Sequence, residues 1–262
     1  MEIKAIFMDL DGTLLKSDRT LSQNLKNKLK ELENKGVKIF IATGRTYRAS
    51  LSAIKELDIK TPVINYNGGR ITDPVTGEVI YENPLPGKIV EEIIKISREK
   101  KIHLNLYRDD NLYIENESEE GRGYAEHAGI PYTLVNFDDF AGKTSTKALF
   151  LGEHEKLKKL KEELEKKFTE TDFVFSQYTY LEVLNKSVSK GKAVKEIMKR
   201  YDLSSDGVMA FGDQWNDLSM LKSVKYGYLM GNALDELKKE FPSDRITLSN
   251  DDDGIYYIIK DK

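Results

Sequence analysis

The chain has 262 residues, enough for one large domain or two modest ones with a sizeable core. Its net charge of -3 gives no global pull toward nucleic acid or an anionic membrane. It contains no cysteine, which excludes a disulfide framework, a thiolate metal site and a cysteine nucleophile.

The first apolar run, Ile3 to Met8, is too short for a comfortable helix and reads as a buried strand. It ends in Asp9-Leu10-Asp11-Gly12-Thr13, where Gly12 lets the backbone turn. Acidic residues interrupt this run, so it reads as neither signal peptide nor membrane span, and a cytoplasmic protein is expected. Asp9 and Asp11 fall just past the carboxyl end of the strand, where open α/β sheets place ligands. Two carboxylates so close repel, and Mg²⁺ with a phosphate group would relieve them. Alone, the same motif also fits a solvated surface turn. An EF-hand fits poorly, because Gly12 comes too early and the twelfth residue from Asp9 is Thr20.

Leu25, Leu29 and Leu32 recur at helical spacing, which predicts a helix over Ser22 to Lys35 stopped by Gly36. Val37 to Ala42 reads as a second buried strand, ending in Thr43-Gly44-Arg45 before a helix from Thr46 to Leu57. Pro62 to Asn65 is a third, followed by Asn67-Gly68-Gly69 and a hairpin over Arg70 to Glu82. Strand, helix, strand, helix, strand indicates a parallel, helix-covered sheet.

Asn83-Pro84-Leu85-Pro86-Gly87 breaks the pattern and reads as a linker. The next hundred or so residues change rhythm to helix, two strands, helix and short strand, then strand, helix and two strands. The first rhythm returns at Ser189, with a helix from Lys190 through Tyr201. A strand then ends in Gly212-Asp213-Gln214-Trp215-Asn216-Asp217, ahead of a helix to Lys222. A strand over Tyr226 to Met230 and a helix from Ala233 to Glu240 follow. Asp251, Asp252 and Asp253 are expected to cap a final helix.

Four motifs thus lie at strand ends or helix starts. Asp9 and Asp11 offer a nucleophile and an acid/base. Thr43 and Gly44 offer a hydroxyl and an N–H to a phosphate oxygen. Lys190 offers a cation. Asp213, Asn216 and Asp217 offer further carboxylate for a metal and an amide for phosphate. Each alone also reads as a cap, a loop residue or a surface lysine; together and in this order they point to one site.

The set closely resembles the haloacid dehalogenase-like hydrolase superfamily. In particular it is similar to the Cof-type phosphatases, with a large C2-type (C2B) cap inserted after the third core strand. The resemblance spans the whole chain and is most specific in Asp9-Leu10-Asp11-Gly12-Thr13-Leu14 and in Gly212-Asp213-Gln214-Trp215-Asn216-Asp217-Leu218-Ser219-Met220-Leu221. Trp215 is less usual at its position. The fold implied is α/β, a Rossmann-like parallel-sheet core domain (residues 1–82 and 186–262) with an inserted α+β cap domain (83–185).

By this resemblance Asp9 is the nucleophile, forming an aspartyl-phosphate, and Asp11 is the acid and then the base. Mg²⁺ would be held by Asp9, the Asp11 backbone carbonyl and Asp213, with Asp217 behind them or acting through water. Thr43, the Leu10 and Gly44 amides, Lys190 and Asn216 would hold the phosphoryl oxygens. The resemblance assigns that contact to Lys190, since the family's lysine immediately precedes such a glycine; Lys192, rotated by about 200° on the helix, cannot aim at the same point. Gly191 is expected to leave space beside Lys190.

The implied partner is a small phosphorylated metabolite, with no nucleic acid and no membrane; the pattern says nothing of oligomeric state. Cap residues Tyr107, Arg108, Tyr178 and Tyr180 are candidates for selectivity. Two rivals carry related chemistry. A phosphomutase would need a bisphosphate activator, and a receiver-type signalling domain would place its aspartate on an internal strand and lack the insertion. A catalytically silent binding protein fits poorly with intact Asp9, Asp11, Lys190 and Asp213, and an ion pump is excluded by the absence of apolar spans.

Overall fold

The computed structural model describes residues 2–262. The elements in chain order begin with β1 (Ala5–Met8), α1 (Gln23–Asn34), β2 (Lys38–Ile41), α2 (Tyr47–Glu56), β3 (Val63–Asn65), β4 (Arg70–Thr72) and β5 (Val79–Glu82). Next come α3 (Gly87–Lys100), β6 (His103–Arg108), β7 (Asn111–Ile114), α4 (Glu119–Ala128), β8 (Tyr132–Leu134), β9 (Lys147–Leu151), α5 (His154–Lys167), β10 (Thr171–Gln177) and β11 (Tyr180–Asn185). The chain closes with α6 (Lys190–Arg200), β12 (Val208–Gly212), α7 (Leu218–Leu221), β13 (Tyr226–Leu229), α8 (Asp235–Lys238) and α9 (Gly254–Ile259).

These elements fall into two compact units, one of residues 1–45, 50–81 and 189–262, the other of 46–49 and 82–188. The first unit is built on a parallel sheet in the order β13-β12-β1-β2. All four residues of β1 are fully buried, as expected of a central strand covered on both faces. Ala5 and Phe7 share one face with Phe40, Val194, Ile197 and Ala210. The Phe7 and Phe40 rings stack there at 4.5 Å. A single parallel bridge, Ala42 to Ile64, carries the sheet on to β3, which starts a small sheet of order β3-β4-β5. The chain runs outward from β1 through β2 to β3, then returns to the other side of β1 as β12. The strand order therefore reverses between β1 and β12, which opens a crevice at their carboxyl ends.

The second unit carries a six-stranded sheet, β10-β11-β9-β6-β7-β8, antiparallel except for the β7–β8 pair. Ile89, Val90 and Ile93 of α3 and Leu157, Leu160 and Leu164 of α5 pack on alternate residues of the central strands, including Leu104, Leu106, Ala148, Phe150, Leu181 and Val183. The α/β class of the first unit and the mixed sheet of the second follow the expected rhythm.

Two local expectations change. The helix expected from Ala233 to Glu240 is reduced to Asp235–Lys238. Phe241 precedes Pro242 and is biased away from helical geometry, and Leu234 at the amino end offers no side-chain cap. The helix expected after Asp217 forms as the short α7, preceded by a tight 3-10 turn over Trp215–Asp217. The run Asp251 to Asp253 does not cap α9 through a side chain. Asp251 instead accepts the N–H and hydroxyl of Ser17 at 2.9 and 2.7 Å.

Gly191 has a different reason from the space expected beside Lys190. A Cβ there would lie 2.3 Å from the Ser219 carbonyl oxygen, because α6 packs directly on the backbone of α7. Gly191→Ala should destabilise the chain by about 1–3 kcal/mol through this overlap. Urea denaturation of the variant against wild type measures it.

Candidate active site

Asp9 stands one residue beyond β1 and still belongs to the sheet, its N–H donating to Phe211 of β12 at 3.1 Å. The chain then turns tightly, with Leu14 N–H donating to Asp9 O at 3.2 Å and Leu15 N–H to Leu10 O at 2.9 Å. Gly12 sits at φ +74°, and a Cβ on it would lie 2.5 Å from the Asp213 carboxylate. The turn and the carboxylate both require glycine. Thr13 Oγ1 donates to Asp213 Oδ1 at 2.8 Å.

Asp213 follows β12 as Asp9 follows β1, and the parallel register Met8 to Phe211 brings them to the same crevice. Lys190 enters from α6, whose amino end is capped by Ser189 Oγ accepting the Lys192 N–H. The Lys190 side chain has no exposure, and its ammonium donates to Asp9 Oδ1 and Asp217 Oδ1 at 2.6 Å each. An ammonium has three donors, so one is left for a ligand oxygen. Lys192 is exposed. Asp217 Oδ2 accepts the N–H groups of Asp213 and Gln214 at 3.0 Å each, and Gln214 Nε2 donates to Asp213 Oδ2 at 3.0 Å.

Thr43 is buried, and its hydroxyl accepts the Arg45 N–H at 3.1 Å. Its carbonyl accepts Asn67 N–H at 3.1 Å, and Asn67 Oδ1 accepts Asn216 Nδ2 at 2.9 Å. Thr43, Gly44 and Asn216 thus share Asn67 as a neighbour. Leu10 is buried in the turn. Asp11 points elsewhere: Arg45 grips its carboxylate with Nε at 2.7 Å and with Nη2.

Carboxylate oxygens of Asp9, Asp213 and Asp217 lie within 4.8 Å of one another, all on buried residues. One lysine faces three acids. Burial, then the neighbouring Asp217 and Asp213, push the Asp9 carboxyl well above its usual range against the pull of Lys190. Burial is also the main force lifting Asp213 to about 6. Burial alone would lower the Lys190 ammonium, but Asp217 and Asp9 outweigh it and raise it. Hard oxygen donors with excess negative charge suit a hard divalent cation. The Asp11 carboxylate is outside this trio.

Several contacts carry no signal in the sequence pattern. Arg45 sits inside a motif whose threonine and glycine drew attention, yet only the fold brings it to Asp11. Thr13, Gln214 and Asn67 are likewise polar residues in recognised loops. In the second unit Tyr107 is fully buried, with its hydroxyl 2.5 Å from that of Tyr124. Tyr124 also meets the Tyr180 ring edge-on. Tyr178 is exposed and stacks on His154, and Arg108 pairs with Asp109 at 3.5 Å. A buried ion pair, Lys147 to Glu182 at 2.9 Å, joins the neighbouring strands β9 and β11 of that unit.

Residues 6–259 match the haloacid dehalogenase-like hydrolase family, and the chain belongs to it. It is a phosphoric monoester hydrolase of the Cof type within that family. An HMP-PP phosphatase of Yersinia pseudotuberculosis (strain IP 31758) is 31% identical over 252 residues, covering 96% of this chain and 92% of that one. The crystal structure of TM0651 from Thermotoga maritima superposes with a TM-score of 0.90 at 31% identity, covering 99% of this chain and 97% of that one. The subclass IIB sugar phosphatase BT4131 gives a TM-score of 0.83 at 26% identity, covering 98% of each chain. Among the described residues no helix is long and apolar enough to cross a membrane.

Two outcomes follow from this electrostatics. Lys190→Ala takes the cation from two buried carboxylates, Asp9 and Asp217, and should cost about 3–5 kcal/mol of stability, while Lys192→Ala should match wild type. Urea denaturation of both separates them. The second concerns pH. With the Asp213 pKa near 6 in the fold and about 3.9 unfolded, the folded chain holds a proton that the unfolded chain has released between those values. Metal-free stability from this group therefore falls as pH rises through that window. A divalent cation needs the ionised carboxylates, so the rise in Tm on adding Mg²⁺ should be larger at about pH 8 than at about pH 5.

Proposed function

We propose that this chain is a Mg²⁺-dependent phosphatase of small phosphomonoesters, working in the cytoplasm through an aspartyl-phosphate on Asp9. The observation that carries the reading is the buried trio of Asp9, Asp213 and Asp217 around Lys190 at the crevice between β1 and β12. Asp9, Asp213 and the Asp11 backbone carbonyl would hold the cation, with Asp217 behind them. When bound, Mg²⁺ supplies positive charge to the phosphoryl oxygens.

An Asp9 oxygen attacks phosphorus in line, forming the P–O bond to the enzyme as the bond to the leaving oxygen breaks. Asp11 gives that oxygen a proton. In the second half Asp11 takes a proton from water, whose oxygen displaces Asp9 and releases inorganic phosphate. The Asp11 side chain is 57% exposed, which gives it a solvent route for its proton. The third N–H of Lys190, the Thr43 hydroxyl, the Leu10 and Gly44 amides and Asn216 would hold the transferring oxygens. Fixed donors of this kind stabilise charge that grows in the transition state. Asp213 stays in place through Thr13 and Gln214, and Asp217 through two backbone N–H groups.

The second unit, taken as the cap over residues 83–185, would choose the leaving group. HMP-PP and sugar phosphates come first as substrates to test, since the named relatives act on these.

EDTA should abolish hydrolysis of a generic aryl phosphate, and added Mg²⁺ should restore it. Asp9→Asn should trap no covalent phosphate on acid quench. Asp11→Asn should still bind Mg²⁺ but lose on the order of 10²–10⁴ in rate, less for good leaving groups. Full turnover without metal, or covalent phosphate on Asp9→Asn, refutes the reading. The sole tryptophan, Trp215, lies on the Asp213–Asp217 turn and is half exposed. Its emission should change on Mg²⁺ binding, a readout independent of turnover.

A further inference from the structure

The Asp9–Leu15 loop satisfies only some of its own backbone. Asp9 O and Leu10 O accept bonds from within it. Gly12 O and Leu15 O are met from a distant stretch of chain. Asn232 Nδ2 donates to Gly12 O at 2.8 Å, and Asn250 Nδ2 donates to Leu15 O at 2.9 Å. The two asparagines are joined, with Asn250 N–H donating to Asn232 Oδ1 at 3.1 Å. The next residue, Asp251, accepts Ser17 N–H on one oxygen and Ser17 Oγ–H on the other. Its carbonyl accepts Lys16 Nζ at 3.2 Å.

We infer that Asn232, Asn250 and Asp251 form a clamp that positions the catalytic loop; this rests on the phosphatase reading above. The clamp grips the loop and its exit at Gly12, Leu15 and Lys16–Ser17. No clamp side chain is bonded to the Asp9, Asp11 or Asp213 carboxylate, so these are positioning residues. Their route to the chemistry is short. The bond to Gly12 O fixes the peptide that joins Gly12 to Thr13, and the Thr13 hydroxyl holds Asp213 Oδ1.

The residue types are dictated by the bonds. Asn232 donates to a carbonyl and accepts from an N–H, which needs both ends of an amide. Aspartate lacks the donor and leucine lacks both. Asn250 is buried, so its amide has little water to fall back on. Asp251 takes two donors from one residue, which suits a carboxylate and no neutral side chain as well. A loop freed from this grip keeps its inner turn but can shift as a body. A misplacement of about 1 Å can cost about 10²-fold in rate.

The test uses full-length protein and an aryl phosphate with Mg²⁺. Asn232→Ala and Asp251→Ala should lower kcat by about 10- to 100-fold, with KM changed little. Asp251→Asn keeps an oxygen for one Ser17 bond and should recover part of the loss. Ser17→Ala removes one bond from an exposed residue, leaves folding intact, and should lower kcat a few-fold. Amide hydrogen exchange over residues 12–17 should quicken in Asp251→Ala whether or not the chain turns over. Wild-type turnover checks the phosphatase reading by itself. Unmoved kcat in folded variants overturns the clamp, as does Asp251→Asn no better than Asp251→Ala, or unchanged exchange.

Discussion

A lysine ammonium buried between two carboxylates is the constraint on which the first unit depends. Lys190 has no water to fall back on, and neither has Asp217. Each would be costly alone. The bond from Lys190 to Asp9 ties α6 to the end of β1, and the bond to Asp217 ties it to the turn after β12. Three segments far apart in sequence must therefore meet to within a few ångströms. The parallel pairing of β1 with β12 provides the meeting place, and the direct packing of α6 on α7 at Gly191 sets the depth at which Lys190 enters.

The compensation is incomplete by design of the donor set. Three acids surround one base, and burial lifts both Asp9 and Asp213. In a purely structural network such a residue of negative charge would be a defect. At a strand-order reversal the same cluster could hold a metal ion, which is how the proposed function reads it. The crowded carboxylates that cost stability are those that a divalent ion would satisfy, so on the proposed function ion binding should also stabilise the fold of this unit.

What was legible in the sequence was local. The Leu25, Leu29, Leu32 spacing gives α1, and all three residues are buried on its inner side. Asp9, Asp213, Asp217 and Lys190 stood out because each follows an apolar strand or opens a helix, where side chains are delivered to the carboxyl edge of the sheet. What was not legible was the pairing of polar groups across long separations. Nothing periodic links Ser17 to Asp251, 234 positions later, or Lys147 to Glu182 on a neighbouring strand. The acidic run at 251–253 shows how a local rule misleads. Acids before a helix usually serve its amino end, but here the first of them is taken by Ser17, just beyond the Asp9–Leu15 loop.

That exchange has a physical logic. The Asp9–Leu15 turn holds Gly12 in a left-handed conformation against the Asp213 carboxylate. A loop this tight exhausts its own hydrogen-bonding options, and its outward carbonyls at Gly12 and Leu15 find partners outside it. Water would satisfy them equally well in energy but would fix nothing in place. Asparagine amides anchored to the backbone after β13 satisfy them and impose one position. The inner face of the loop is then set by the sheet and its outer face by residues 232 and 250–251. Between these two faces the turn that carries Asp9 is held from both sides, and the in-line attack proposed for Asp9 would need such a fixed position.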